Sequence, residues 1–185
     1  MTATQALFDN LLTDQTEGPV KLTLLVESAR FNLRADPKDI NALSKAFGSE
    51  IPSEISACAR VKNREALCVG PDEWILQTPE SDKQTVWDAF EKAYAKTPHS
   101  LTDISDREIA ISMSGDRVLE LLNIAAPTDH SSMEIGQGVR TIFDTVQVVL
   151  YREAENTFRM ELWRSFLPHV WSLLNTGNAE LASGY

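Results

Sequence analysis

Ala66-Leu-Cys-Val-Gly70-Pro71-Asp-Glu-Trp74-Ile-Leu-Gln-Thr-Pro79-Glu-Ser81 is divided by two proline-marked stops, Gly70-Pro71 and Pro79. Residues 67–69 are a short apolar run closed by Gly70-Pro71. Glycine admits an unusual backbone angle there and proline fixes the next one, so a strand ends in a turn. Trp74, Ile75 and Leu76 open a second extended segment that stops at Pro79. Ser81 is expected to cap a helix whose apolar positions Val86, Trp87, Ala89, Phe90, Ala93 and Tyr94 recur at helical spacing. From Ala66 to Phe90 the order is strand, sharp turn, strand and helix, with no nucleophile motif, no metal-ligand spacing and no glycine-rich phosphate loop.

Toward the N-terminus, residues 58–61 and 65–69 form a hairpin turning near Asn63, preceded by a loop at 51–56. Asp36-Pro37 starts a helix with proline in its first turn, buries Ile40, Leu43, Ala46 and Phe47, and ends at Gly48. Residues 31–34 alternate as a strand does, and 21–27 alternate less strictly. Residues 1–19 form a polar, acidic N-terminal arm whose apolar cluster is Leu7, Phe8, Leu11 and Leu12. That cluster either packs on its own domain or anchors the arm to a partner.

Toward the C-terminus the same order returns near Glu108. Residues 109–113 are a strand, and Ser114-Gly115-Asp116 leads into a helix carrying Val118, Leu119, Leu121 and Leu122 that stops before Pro127. Residues 128–137 read as a solvated polar loop holding Asp129, His130, Glu134 and Gly136. Strands at 145–151 and 158–163 are joined by a turn around Glu155-Asn156, and Ser165 caps a last helix with Val170, Trp171, Leu173 and Leu174 inside. Trp74 to Trp87 and Phe158 to Trp171 are both separations of 13 positions (87 minus 74, 171 minus 158), and Ser81 and Ser165 share an offset of 84 (165 minus 81). The fold class expected is α+β, with helices over mainly antiparallel sheet in two related strand-helix-strands-helix halves. The halves fall at about 28–97 and 101–177 within one domain spanning 20–185.

The totals narrow the function. A chain of 185 residues with 43% hydrophobic content can bury a core as one domain or two small sub-domains. A net charge of -10 repels nucleic-acid phosphates and anionic lipid, so neither nucleic acid nor membrane is expected as a partner. No apolar run approaches the roughly 20 residues that span a bilayer and no secretory signal opens the chain, which points to the cytoplasm. Cys58 and Cys68 face each other across the hairpin; a disulfide is one reading, and two buried reduced thiols, favoured by a reducing compartment, the other.

Chemistry is sparse. His99, His130 and His169 have no second histidine or cysteine at metal spacing. Asp129, His130, Ser131, Ser132 and Glu134 are too close in sequence to converge as a triad would, so the solvated loop is preferred to a hydrolytic site. Asp72, Glu73, Asp103, Asp106 and Glu108 read as acidic surface, and Gly136-Gln-Gly138 as a tight bend before the next strand. Trp74, Trp87, Trp163 and Trp171 are placed in the core. Trp163 is assigned to the face of Met160 and Leu162, with an edge position beside Arg164 as a partner anchor the alternative. No catalytic, cofactor-binding or metal residue is assigned.

Several segments in order resemble the gamma subunit of bacterial heterotetrameric sarcosine oxidase. They are Gly70-Pro71-Asp72-Glu73-Trp74-Ile75-Leu76; Leu101-Thr102-Asp103-Ile104-Ser105-Asp106-Arg107 with the strand and turn at 109–115; the Ile-Ala-Ala-Pro-Thr-Asp loop; Gly138-Val139-Arg140-Thr141; and residues 158–171 with Arg164-Ser165-Phe166 inside. The resemblance implies a shortened relative of the folate-binding aminomethyltransferase domain. It further implies alpha and beta subunits carrying FAD, FMN, NAD and the tetrahydrofolate site, a delta subunit holding zinc, and a gamma subunit with no cofactor that packs against them. The complex would convert sarcosine to glycine and hydrogen peroxide, passing the one-carbon unit to tetrahydrofolate or releasing formaldehyde. Other readings are a gamma-like subunit of an N-methylglutamate dehydrogenase, a free-standing folate-binding protein of the aminomethyltransferase type, and a small hydrolase using His130. Against the folate-binding reading, no cysteine follows Cys68, and Glu134-Ile135-Gly136-Gln137 is at best a remnant of the cysteine motif of such proteins.

Overall fold

A computed structural model describes residues 17–25 and 27–184. The Leu7, Phe8, Leu11 and Leu12 cluster lies outside the described residues. In chain order the elements are β1 (Lys21–Leu24), β2 (Ala29–Ala35), α1 (Ile40–Phe47), β3 (Cys58–Val61), β4 (Arg64–Gly70), β5 (Glu73–Thr78), α2 (Lys83–Tyr94) and β6 (His99–Asp103). They continue as β7 (Glu108–Ser114), α3 (Val118–Asn123), β8 (Gly138–Phe143), β9 (Val146–Ala154), β10 (Thr157–Trp163) and α4 (Leu167–Ala182). The chain divides into two compact units. One comprises the described part of Met1–Leu25 with Ile109–Met133 and Thr141–Tyr185; the other comprises Val26–Glu108 and Glu134–Arg140.

Taking the second unit by itself, the expected strand, turn and strand are β4 and β5. Gly70 lies opposite Glu73, and a bulge between Cys68 and Gly70 lets the chain turn through Pro71 and Asp72. Phe31 pairs with Leu76 and Leu33 with Trp74 across β2 and β5. With Ala66 and Cys68 these side chains form one sheet face, packed against Ile40, Leu43 and Phe47 of α1 and Val86 and Phe90 of α2. Full burial of each large aliphatic or aromatic group contributes about 1.5–3 kcal/mol. The Trp74 indole also donates to the Pro52 carbonyl at 2.6 Å, so its one polar atom is not stranded in the core. Gly48 closes α1 in the left-handed conformation, φ +73°, and its N–H bonds the Ser44 carbonyl at 2.8 Å.

The first unit repeats this plan. Its sheet order is β1-β7-β10-β9-β8, and that of the second unit is β3-β4-β5-β2-β6. Read from opposite ends, β7, β10, β9 and β8 correspond to β2, β5, β4 and β3. The edge strands β1 and β6 correspond as well, each antiparallel to its neighbour. The chain is thus two repeats, β1 to α2 and β6 to α4, and the leading strand of each repeat lies in the sheet of the other unit. The offset of 84 holds for β5 to β10 (157 minus 73) and for α2 to α4 (167 minus 83). It is 78 at the leading strands (99 minus 21), because the second repeat has longer connections in between.

The chain entering β1 is held by α4. Asn178, 0% exposed, accepts from the Val20 N–H at 3.0 Å and donates to the Val20 carbonyl at 2.8 Å. Gly18 lies so close that a Cβ would sit 2.4 Å from the Asn178 side chain. Gly115, φ +153°, would put a Cβ 2.2 Å from the Pro19 carbonyl oxygen, so the turn after β7 also admits only glycine.

Several expectations need correction. Ser81 and Ser165 do not cap helices: each sits inside a 3₁₀ turn, Glu80–Asp82 and Arg164–Phe166, and the residues that precede α2 and α4, Asp82 and Phe166, make no side-chain cap. Trp74 and Trp171 are buried, but Trp87 and Trp163 are 38% and 40% exposed. Trp163 is an odd number of positions from Met160 and Leu162 is its direct neighbour, so strand alternation sends it to the opposite face at the end of β10. Tyr94, placed with the buried helix positions, is 57% exposed. Cys58 lies opposite Leu67, so it shares a face with Leu67 and Cys68 points to the other; no disulfide joins the two cysteines. No strand was assigned at 99–103 or 138–143: β6 is short and polar outward, and β8 starts directly at the glycine bend that was read as preceding the next strand, which was placed at 145–151.

Candidate functional site

Three groups of polar side chains carry the electrostatics of the second unit and its neighbour in sequence. The first centres on Glu73, from the Gly-Pro-Asp-Glu-Trp turn. Its carboxylate accepts from Arg140 through two nitrogens at 3.0 and 2.5 Å, from Asn32 at 2.8 Å and from Arg34 at 3.2 Å. The Arg140 hydrogen bonds, with help from Asn32 and Arg34, hold its carboxyl below the usual range against the effect of burial. Asp72, exposed, shares Arg34 at 3.2 Å.

The second centres on Asp103 at the end of β6. One carboxylate oxygen accepts from the Ser105 N–H at 3.0 Å and hydroxyl at 2.6 Å; the other meets the Lys83 ammonium at 2.7 Å. The Ser105 hydroxyl accepts the Arg30 N–H at 3.0 Å, which ties the strand end to β2. Burial pushes the Asp103 carboxyl up, but Lys83 and Ser105 outweigh it and leave it lowered. Glu108 is buried with Arg107 against it at 2.9 Å, and Asp106 is exposed. The acidic surface read from sequence is therefore, at Glu73 and Glu108, two largely buried carboxylates paired with partly exposed arginines.

His130, expected in a solvated loop, is 2% exposed. Asp129 starts a 3₁₀ turn, His130–Ser132, by accepting the Ser131 N–H at 2.8 Å, and this turns the imidazole inward. Its Nε2 is 3.2 Å from the Thr128 hydroxyl. Desolvation lowers the imidazole pKa, so the ring is neutral at pH 7. Asp129 is occupied by the Ser131 N–H and the Ser132 hydroxyl bonds the Asp129 carbonyl at 3.2 Å, so the cluster is directed into its own backbone. His169 instead bonds Asp144 at 2.9 Å on the surface of the first unit. Gly136 occupies the third position of a turn closed by the Gln137 N–H on the Glu134 carbonyl at 3.1 Å, with φ +90°, which confirms the bend.

A concavity lies in the second unit, between α2 and β6. It is an open cleft of about 490 Å³ lined by Trp87, Phe90, Glu91, Tyr94, His99, Ser100 and Leu101. The His99 ring stands edge-on to Phe90 and Tyr94, with centroids 5.3 and 5.6 Å apart. Its Nδ1 is 2.6 Å from the Thr97 carbonyl, which can only accept, so Nδ1 carries a proton. One face of Trp87 rests near Phe31, 6.3 Å between centroids. Residue periodicity had pointed to a buried α2 stripe; what it could not show is that the stripe runs past the edge of the sheet.

Among the described residues no group of three or more His, Cys, Asp or Glu side chains is placed to hold a metal ion, and no helix is long and apolar enough to cross a membrane. No curated protein sequence matches the chain. Among solved structures, a chain of the heterotetrameric sarcosine oxidase from Corynebacterium sp. U-96, in complex with pyrrole 2-carboxylate, superposes with a TM-score of 0.86 at 23% identity, covering 98% of this chain and 96% of that one. The glycine cleavage system aminomethyltransferase T from Bartonella henselae gives 0.65 at 14% identity over 90% of this chain and 47% of that one. The ligand-free regulatory subunit of aspartate kinase from Thermus thermophilus gives 0.52 at 13% identity, over 86% and 98%. These are likenesses of fold, and they fit the duplicated α+β architecture. The sequence adds the family: residues 32–180, from within β2 into α4 and including Glu73, Asp103 and Arg140, match the sarcosine oxidase gamma subunit family. The chain belongs to that family.

Proposed function

We propose that this chain is a non-catalytic gamma-type subunit of a heterotetrameric sarcosine oxidase, contributing contact surface to a complex whose reactive groups reside on its alpha, beta and delta partners. The observation that carries the reading is the family match over residues 32–180. The internal chemistry supports it. Glu73 and Asp103, two carboxylates inside the segments that resemble the family, are engaged with Arg140 and with Lys83 and Ser105, and they hold turns and strand ends in place. His130, the one buried imidazole of the loop considered for hydrolysis, is packed rather than presented. In this reading FAD, FMN, NAD, tetrahydrofolate and zinc belong to the partner subunits, and the complex demethylates sarcosine to glycine in the cytoplasm.

Co-expression with those partners tests the proposal. The chain is expected to co-purify with them in fixed stoichiometry, and the chain alone is expected to bind no flavin and to leave sarcosine unconsumed. A chain that stays monomeric in their presence, or that by itself oxidises an N-methyl amine, overturns the proposal. Calorimetric titration of the lone chain with tetrahydrofolate separates it from the free-standing folate-binding reading, which requires tight binding.

A further inference from the structure

The two repeats place equivalent helices, α2 and α4, beside equivalent edge strands, β6 and β1. At the offset of 84 Trp87 corresponds to Trp171 (171 minus 87), Glu91 to Asn175 and Tyr94 to Asn178. Their exposures differ sharply. Trp171 and Asn178 are 2% and 0% exposed, whereas Trp87 and Tyr94 are 38% and 57% exposed. At Asn178 and Tyr94 the difference follows from how the chain reaches each edge strand. Residues 18–20 come to β1 from the N-terminal side and cross α4, where Asn178 grips both polar groups of Val20. Between α2 and β6 there are only residues 95–98, and the Lys96 and Thr97 N–H groups turn back onto the Ala93 carbonyl at 3.1 and 2.9 Å. So short a link stays on the end of α2 and cannot cross its side. At its Asn178 end the face of α4 is therefore covered by an extended segment, whereas the equivalent Tyr94 of α2 has no such segment over it among the described residues.

The open face has its own chemistry. Trp87 and Tyr94 offer rings to an apolar side chain, and the Glu91 carboxylate stands where the first unit has the neutral Asn175. Among the described residues β6, last in the sheet order, has a strand neighbour on one side only. We propose that the α2–β6 cleft receives an extended segment of a partner subunit of the oxidase, with an apolar residue between Trp87 and Tyr94 and a lysine or arginine on Glu91. The segment takes the place that residues 18–20 take on α4. The proposal rests on the reading of the chain as a complex subunit. Extended peptides bind in this manner beside sheet edges, and buried aromatic anchors dominate such contacts.

The test uses the full-length chain co-expressed with its partner oxidase subunits, with the affinity tag on a partner. Trp87→Ala/Tyr94→Ala and, separately, Glu91→Lys are each expected to lower the amount of chain recovered with the partners by about tenfold or more. Circular dichroism and urea midpoints of the isolated variants check that each still folds. In the wild type, amide exchange over residues 99–103 should slow on assembly. Variants that assemble as the wild type does, or β6 amides that exchange alike in free and assembled chain, overturn the inference while leaving the subunit reading intact. A wild-type chain that fails to co-purify overturns both. A lone chain that dimerises through Trp87 and Tyr94 assigns the cleft to a second copy, and protection in the lone chain that is lost on deleting residues 1–16 assigns it to the chain's own N-terminus; either result overturns the partner-subunit proposal.

Discussion

The Glu73 carboxylate and the Arg140 guanidinium form a two-pronged pair across 67 positions of sequence, joining the turn before β5 to the start of β8. Two segments that looked unrelated in the sequence, Gly70-Pro71-Asp72-Glu73 and Gly138-Val139-Arg140, are thereby one structural feature.

Arg140→Ala removes both prongs and leaves a largely buried carboxylate with Asn32 and Arg34. The expected cost is about 1–3 kcal/mol in urea unfolding at pH 7. Because the folded Glu73 value is lowered, its contribution is complete above the ordinary glutamate value of about 4.3 and is lost as pH falls through the lower folded value. The stability gap between wild type and Arg140→Ala should therefore narrow as the measurement moves from pH 7 toward pH 3.

Asn178→Ala takes away both partners of Val20 and should cost about 1–3 kcal/mol for each group left unsatisfied. Gly115→Ala forces a Cβ onto the Pro19 carbonyl and should cost about 1–3 kcal/mol through backbone strain. Both act on the segment that leads into β1. Hydrogen exchange should show faster amides over Lys21–Leu24 in each variant, with the second unit little changed.

His130 links stability to mildly acidic pH. Its folded pKa lies below the ordinary histidine value of about 6.5, so as pH falls below that value the unfolded chain takes up a proton that the native chain refuses. Stability drops over that window and is unaffected above it. His130→Gln should flatten the dependence of the urea midpoint between about pH 6.5 and 5, the range set by the ordinary histidine value.

Cys68 is 1% exposed, and burial pushes its thiol pKa up. A thiolate is the reactive species, so an alkylating reagent should reach it only when the chain unfolds. Mass spectrometry after a short iodoacetamide pulse should show Cys68 unmodified in the native chain and modified in urea; rapid native labelling would contradict the buried placement.

The strand-turn-strand-helix unit around Gly70-Pro71 was legible because its signals are local. A bulge before a proline turn and an apolar stripe on α2 need only nearby residues to specify them. The duplication was legible through the Trp74/Trp87 and Phe158/Trp171 spacing, since the matched elements run in register from β5 and β10 into α2 and α4. What local pattern could not carry was burial decided by distant chain. Tyr94 and Asn178 hold equivalent positions on their helices, yet one is exposed and the other covered, and residues 18–20 reach Asn178 from far away in sequence. His130 was hidden for a related reason: Asp129 and Ser131 look solvated, and the turn they make is what directs the imidazole inward. Glu73 and Arg140 were both singled out, but nothing in their sequence neighbourhoods says that they meet.

The placement of β1 has a consequence for synthesis. The last strand of the β3-β4-β5-β2-β6 sheet is complete once Asp103 is made, whereas Lys21 waits until Ser114 has been synthesised before it meets its mate. Moving residues 17–25 to follow α4 would let that strand arrive last, as β6 arrives after α2, and such a circular permutant should reach the same native state by a shorter wait.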